Sequence, residues 1–209
     1  MLRGLIGLAS IQGPLVPVIL AFWIFVAMKP FALAVLASSL AASLVCASPL
    51  AAEGLIYELK LGGLYHDAPE LWSGFQVEKK SLDINVEALL SPSMHVFFGD
   101  IRPAIGGSIN TAGQTSHAYV DARYTYDAPS GLFFSIGLGA AIHDGQTELV
   151  DGSRKALGAR VLFHIPLEAG YRLDAHNSIS AYFEHTSNAY TQDINEGLDR
   201  VGIRYGYRF

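Results

Sequence analysis

With 209 residues, 51% of them apolar and only 16% charged, the chain is long enough for one domain with its own core. Fourteen basic against 19 acidic residues give a net charge of −5, which speaks against a nucleic-acid partner, since those interfaces are basic. The single cysteine, Cys46, excludes an intrachain disulfide, and no Cys/His pair has zinc spacing.

From Met28 onward a charge at Lys29, an apolar stretch Phe31–Val45 and small residues ending at Ala52 follow in the order of a secretory signal peptide, with Pro49 breaking any helix before cleavage. Residues 1–27 lie upstream of this complete signal, which implies that translation starts at Met28. A retained anchor is the competing reading, because Leu15–Ala27 and Phe31–Val45 are apolar, but Lys29-Pro30 interrupts it. Ser43-Leu44-Val45 is a poor lipobox, so Cys46 reads as a small apolar residue of a removed segment. The expected organisation is a signal region over residues 1–52 and one domain over residues 53–209.

Beyond Glu53 the pattern switches to period two, the signature of strands with unlike faces. Leu55, Tyr57, Leu59 and Leu61 alternate with Ile56, Glu58, Lys60 and Gly62; Leu82, Ile84, Val86, Ala88 and Leu90 alternate with Ser81, Asp83, Asn85, Glu87 and Leu89. A third segment sets Ile101, Pro103, Ile105 and Ile109 against Arg102, Gly106, Ser108 and Asn110. A fourth sets Ala118–Tyr126 against Tyr119–Asp127, and the turn Asp127–Gly131 leads to a fifth, Leu132–His143. After a polar loop, Asp144–Lys155, the sixth places Leu157, Ala159, Val161, Phe163, Ile165 and Leu167 outward and Arg160, His164, Glu168 and Arg172 inward. Asp174–Asn177 turns the chain into a seventh segment carrying Ile179, Ala181 and Phe183, and the eighth carries Val201, Ile203, Tyr205, Tyr207 and Phe209.

Eight such segments with alternately short and long connections predict an all-β fold, an eight-stranded antiparallel up-and-down β-barrel. The polar faces hold small residues and charges of both signs that can pair across a narrow lumen. An apolar outside over a polar, packed inside makes the barrel a transmembrane one. Tyr124, Tyr126, Tyr205, Tyr207 and Phe209 sit where an interfacial girdle belongs. A soluble lipocalin-like barrel is the competing architecture. In outer-membrane barrels the short turns are periplasmic, which would put Asp127–Gly131 and Asp174–Asn177 inside and Asn188–Leu198 outside the cell.

The same alternation gives the last 25 residues a face. His185 and Ser187 continue the outward set of the seventh segment, and Asp199 continues that of the eighth, so three polar residues share one rim of the outer wall. A serine hydroxyl becomes a nucleophile when an imidazole accepts its proton, and a carboxylate on the far ring nitrogen fixes the tautomer. Positions i and i+2 of a strand lie about 6–7 Å apart, which suits a His-to-Ser hydrogen bond. Asn188 is the candidate oxyanion donor, through its side chain or its backbone N–H. The plain alternative is that these are ordinary loop-entry residues, with Asn195 and Gly197 turning the loop into the last strand. His95, His117, His143, His164 and His176 have no metal-site spacing and read as packed or solvated; Gly106-Gly107 and Gly137-x-Gly139 read as strand glycines.

His185-Thr186-Ser187-Asn188-Ala189, Asn195-x-Gly197-x-Asp199 and Val201–Phe209 together resemble the C-terminal signature of the PagL-type lipid A 3-O-deacylases. The resemblance is specific over residues 184–209 and architectural over 53–183. It implies an outer-membrane barrel that removes the 3-O-linked acyl chain of lipid A in lipopolysaccharide without a metal or other cofactor. It also implies His185 as general base, Ser187 as nucleophile, Asp199 as orienting acid and Asn188 as an oxyanion contact. The family pattern usually has Glu at the acid position, and Asp199 is one methylene shorter. A homodimer is implied by analogy only. The alternative function is a non-enzymatic small outer-membrane barrel acting in adhesion or membrane integrity.

Overall fold

The structure, a computed structural model, describes residues 54–150 and 152–209. The expected signal region, Met28 and Cys46 lie outside the described residues. Among the described residues nine strands follow in order: β1 (Ile56–His66), β2 (Leu82–Leu90), β3 (Met94–Val96), β4 (Gly99–Asn110), β5 (His117–Asp127), β6 (Leu132–His143), β7 (Val161–Arg172), β8 (Asn177–Ser187) and β9 (Leu198–Arg208). β1 pairs with both β2 and β9, and β2 pairs with β4, so eight long antiparallel strands close on themselves. Closure leaves none of these eight with an open edge, which an apolar surround would not tolerate. The three residues of β3 form a short ribbon against the start of β4 and have no counterpart in the sequence pattern.

The predicted faces hold over most of the barrel. Leu61, Val120, Phe134, Ile136, Leu138, Phe163, Ile179 and Ile203 are exposed on the outer wall, while Glu58, Lys60, Glu87, Arg123, Glu168, Glu184, Arg200 and Arg204 are buried in the lumen. Those buried charges pair across it. Lys60 Nζ and Arg204 Nη2 bind Glu168 Oε2 at 2.7 and 2.5 Å, and Arg123 Nη2 binds Glu87 Oε2 at 2.5 Å. The Arg204 guanidinium also covers the Tyr182 ring at 3.5 Å. Removing one partner of a buried pair costs about 3–5 kcal/mol, because the survivor stays desolvated.

The sixth predicted segment departs from the expectation at its start. The strand begins at Val161, and Leu157 is fully buried with Leu162 and Leu198 instead of facing outward. Arg160 is exposed outside the strand and donates from Nη1 to the carbonyls of His143 and Gly145 at 3.0 and 2.8 Å. Gly158 explains the break. It has φ +75°, and a Cβ there would stand 1.8 Å from the Ile194 carbonyl oxygen, so the chain bends beneath the loop before β9 and the alternation cannot start until that bend is passed.

Both barrel termini lie at one end, where Glu58 faces Arg208, together with the short turns at 128–131 and 173–176. Longer connections at 67–81, 144–160 and 188–197 gather at the other end. The His185–Ser187 end of β8 and the Asp199 end of β9 belong to that long-loop end.

Candidate active site on the outer wall

Antiparallel register builds the site. His185 on β8 stands directly opposite Asp199 on β9, and directly opposed residues have Cβ atoms about 4.5–5.5 Å apart. At that separation the shorter acid is long enough: Asp199 Oδ1 lies 2.6 Å from His185 Nδ1. The other ring nitrogen, Nε2, lies 3.0 Å from Ser187 Oγ, two residues along the same strand. Three residues predicted from phase alone therefore form one hydrogen-bonded chain. With an ionised carboxylate at Nδ1, that nitrogen carries the proton and Nε2 accepts from the serine hydroxyl.

The second oxygen of Asp199 brings in a residue the sequence did not indicate. Ser73, in the β1–β2 loop, donates its backbone N–H to Asp199 Oδ2 at 2.7 Å and its hydroxyl at 2.9 Å. Ala68 N donates to the Asp199 carbonyl at 2.9 Å, so the loop is fastened to the acid at both backbone and side chain. Trp72 meets the His185 ring edge-on at 5.1 Å and 74°, and the Phe183 ring at 5.8 Å and 66°. Asp199 is consequently sealed from solvent although its strand phase points outward, while the His185 side chain keeps 13% exposure.

That loop is itself anchored by buried acids. Asp67, held at φ +48°, accepts the N–H groups of Val77 and Glu78 at 2.8 Å each and pairs with Lys155 Nζ at 2.8 Å. Glu78 meets His66 Nε2 at 2.8 Å and accepts from Thr115 Oγ1 at 2.6 Å. Burial alone would raise the pKa of Glu78, but these hydrogen bonds outweigh it and hold the carboxyl at about 2. Gly197 supplies room on the other side: at φ +60°, a Cβ would lie 3.1 Å from His185 Cε1.

Asn188 is placed differently from what an oxyanion donor needs. Its Nδ2 donates to the carbonyls of Leu157 and Ile194 at 3.0 and 2.5 Å, and its backbone N–H donates to Asn195 Oδ1 at 3.0 Å. With all these donors engaged it acts as a clamp between two loops. Asn195 thus has its amide oxygen fixed on the backbone N–H of Asn188, the residue after Ser187. The two residues after the clamp, Ala189 and Tyr190, both have positive φ, 51° and 61°, a strained turn for side chains of that kind.

Below the site an apolar groove of about 500 Å³ runs along the outer wall, with Ala169 and Ala181 between Tyr124, Phe134, Leu167 and Phe183. Phe183, two residues before His185, joins groove and site. Elsewhere, His117 and His164 come together with Glu184 inside the lumen although their sequence spacing gave no hint of it.

The family model described as lipid A 3-O-deacylase (PagL) matches residues 36–208. A crystal structure of the outer membrane enzyme PagL is similar at a TM-score of 0.53 and 16% identity, over 73% of this chain and 99% of that one. A de novo designed transmembrane β-barrel (12% identity, 75% and 96% covered, TM-score 0.44) and Neisserial surface protein A (9%, 75% and 97%, 0.44) are also similar. Among curated proteins, none matches.

Proposed function

Because the chain belongs to the lipid A 3-O-deacylase (PagL) family of outer-membrane barrels, we propose that it is a serine esterase that removes the 3-O-linked acyl chain of lipid A in the outer leaflet. The observation that carries this reading is the continuous chain Asp199–His185–Ser187, with contacts of 2.6 and 3.0 Å, on the outer wall of the barrel. A site open to the outside of a barrel suits a substrate that arrives by diffusion within the membrane. The long-loop end is the extracellular end in barrels of this class, which supports a site at the depth of the outer-leaflet headgroups.

The chemistry follows from the geometry. Ser187 Oγ attacks the ester carbonyl as His185 Nε2 takes its proton, and Asp199 stabilises the imidazolium. The tetrahedral intermediate collapses when the imidazolium returns that proton to the sugar 3-oxygen, leaving the acyl group on Ser187. A water molecule deprotonated by His185 then attacks the acyl-enzyme, and a fatty acid departs. The oxyanion falls to Asn195 Nδ2 and the N–H groups of the strained turn at Ala189–Tyr190, since the donors of Asn188 are engaged. The acyl chain lies in the apolar groove reached past Phe183.

A long-chain alkyl phosphonate that reacts with activated serines tests the nucleophile directly. Intact-mass analysis of the barrel folded in detergent should show one adduct on Ser187, absent in His185→Ala. An unlabelled Ser187 in a folded barrel would remove the serine-esterase mechanism.

A further inference from the structure

Behind the wall that carries His185, three lumen side chains converge that the esterase chemistry does not use. His117 opens β5, His164 lies on β7, and Glu184 immediately precedes His185 on β8. All three are buried, and their ligating atoms lie within 4.8 Å of one another. We propose that they form a structural site for a divalent transition metal of the zinc class, tying β5, β7 and β8 together under the rim that holds the outer-wall residues.

The spacing fits such an ion. Glu184 offers one oxygen to each histidine: Oε2 lies 3.2 Å from His164 Nε2 and Oε1 lies 3.3 Å from His117 Nε2. Ligands about 2.0–2.1 Å from a tetrahedral centre are about 3.3 Å from one another, so these contacts have the length of a coordination edge. Two imidazole nitrogens and a carboxylate that turns one oxygen to each ring are also a donor set that zinc accepts.

The orientation of the rings points the same way. His117 approaches Glu184 without hydrogen-bond alignment, and both its ring nitrogens are buried with no hydrogen-bond partner among the described residues. A buried polar atom left unpaired is costly, so these nitrogens call for a partner. Ligands aimed at a common centre rather than at each other give this combination of short distance and poor alignment. On the second ring, His164 Nδ1 lies 2.9 Å from both oxygens of Asp121 and carries a proton, so a metal in the gap would take the Nε2 lone pair in place of the hydrogen bond that Nε2 makes to Glu184 Oε2 at 3.2 Å. A carboxylate behind a histidine in this way fixes the tautomer of metal-ligating imidazoles.

That backing carboxylate is built into the sheet. Asp121 on β5, Gly139 on β6 and His164 on β7 are lateral neighbours in register. A Cβ on Gly139 would stand 2.1 Å from Asp121 Oδ1, so only the bare backbone between them lets the carboxylate reach across β6. Around the cluster the buried carboxylates Glu78, Asp83, Glu87, Asp121, Glu168 and Glu184 face Lys60, Arg123, Arg200 and Arg204, with His66 held between Glu78 and Asp83 at 2.8 Å from each. Arg200 is the nearest cation: its Nη1 lies 3.5 Å from Glu184 Oε1, while its Nε is engaged by Asp83 and its Nη2 by the Thr115 carbonyl at 2.7 Å. Ser108 Oγ and Tyr182 OH each donate to Glu184 at 3.0 Å and remain its outer partners. The rival occupant of the gap is a proton held by His164 between Asp121 and Glu184.

The test uses the full chain folded in detergent, stripped with EDTA, dialysed against Zn²⁺ or Co²⁺, and checked for folding by its heat-modifiable gel mobility. Elemental analysis should give one zinc per chain, the cobalt form should show the visible absorption of a tetrahedral centre, and zinc should raise the unfolding temperature. His117→Ala and the closer-sized His117→Asn should each weaken retention at least 100-fold, while His185→Ala and His176→Ala should retain the metal. A folded wild-type barrel that keeps no metal, or one that loses it equally in the His176→Ala control, would overturn the proposal. Retention that depends on His185 instead would place the ion on the outer wall and equally overturn it.

Discussion

Replacing Asp199 with Asn tests the hydrogen-bond logic of the site with almost no change in shape. Asp199 accepts three hydrogen bonds: His185 Nδ1–H on one oxygen, and the N–H and hydroxyl of Ser73 on the other. An asparagine has one oxygen and one NH2 group, and the Ser73 backbone N–H can only donate, so the amide oxygen must take the Ser73 side. The NH2 group then faces Nδ1 and forces that nitrogen to be the acceptor. The proton moves to Nε2, where the imidazole no longer accepts from Ser187. A wrong tautomer in a Ser-His-acid arrangement costs about 10³–10⁴-fold in turnover, about 4–5.5 kcal/mol of barrier. Initial rates of fatty-acid release from purified lipid A in detergent micelles would measure it, with heat-modifiable mobility reporting folding. A folded Asp199→Asn enzyme within threefold of wild type would refute the tautomer argument.

Other outcomes follow from the same contacts. Ser73→Ala removes the hydroxyl donor but keeps the N–H donor to Asp199, so kcat should fall about tenfold with the acidic limb of the pH–rate profile moved upward, and Ser73→Thr should restore both. Gly197→Ala puts a methyl 3.1 Å from His185 Cε1 at φ +60°, and turnover should fall by at least tenfold while the barrel still folds. Glu78 has a lowered folded-state pKa of about 2, so its contribution is present above the ordinary value near 4.5 and is lost as pH falls from there toward 2. Limited proteolysis of the 67–81 loop should accelerate across that window, by an amount corresponding to about 3 kcal/mol, and Glu78→Gln should flatten the dependence. A pH-independent wild-type loop would contradict the anchoring role.

How far the sequence could be read depends on where each signal resides. Alternation is local, so the eight long strands and the shared face of His185, Ser187 and Asp199 could be followed residue by residue. Three-residue β3 is too short to alternate, and Leu157 extended an apolar rhythm across a bend that only the positive φ of Gly158 explains. Ser73 and Trp72 belong to a loop without periodicity, and 126 positions separate Ser73 from the acid it holds. Asn188 has the residue type of an oxyanion donor, yet its donors are taken by carbonyls of other loops. His117, His164 and Glu184 meet because β5, β7 and β8 curve around one lumen, and linear spacing carries no trace of that curvature.

The proposed role of Ser187, activated by His185 and Asp199, is to release the 3-O-linked chain of lipid A. Mass spectrometry of lipid A from cells assembling the wild-type barrel in their outer membrane addresses it most directly. The expected result is the loss of one 3-hydroxyacyl chain, from the 3-position, with Ser187→Ala assembled equally well and leaving lipid A at its full mass. An unchanged lipid A profile with folded wild-type protein, or the same chain lost with Ser187→Ala, would rule that role out.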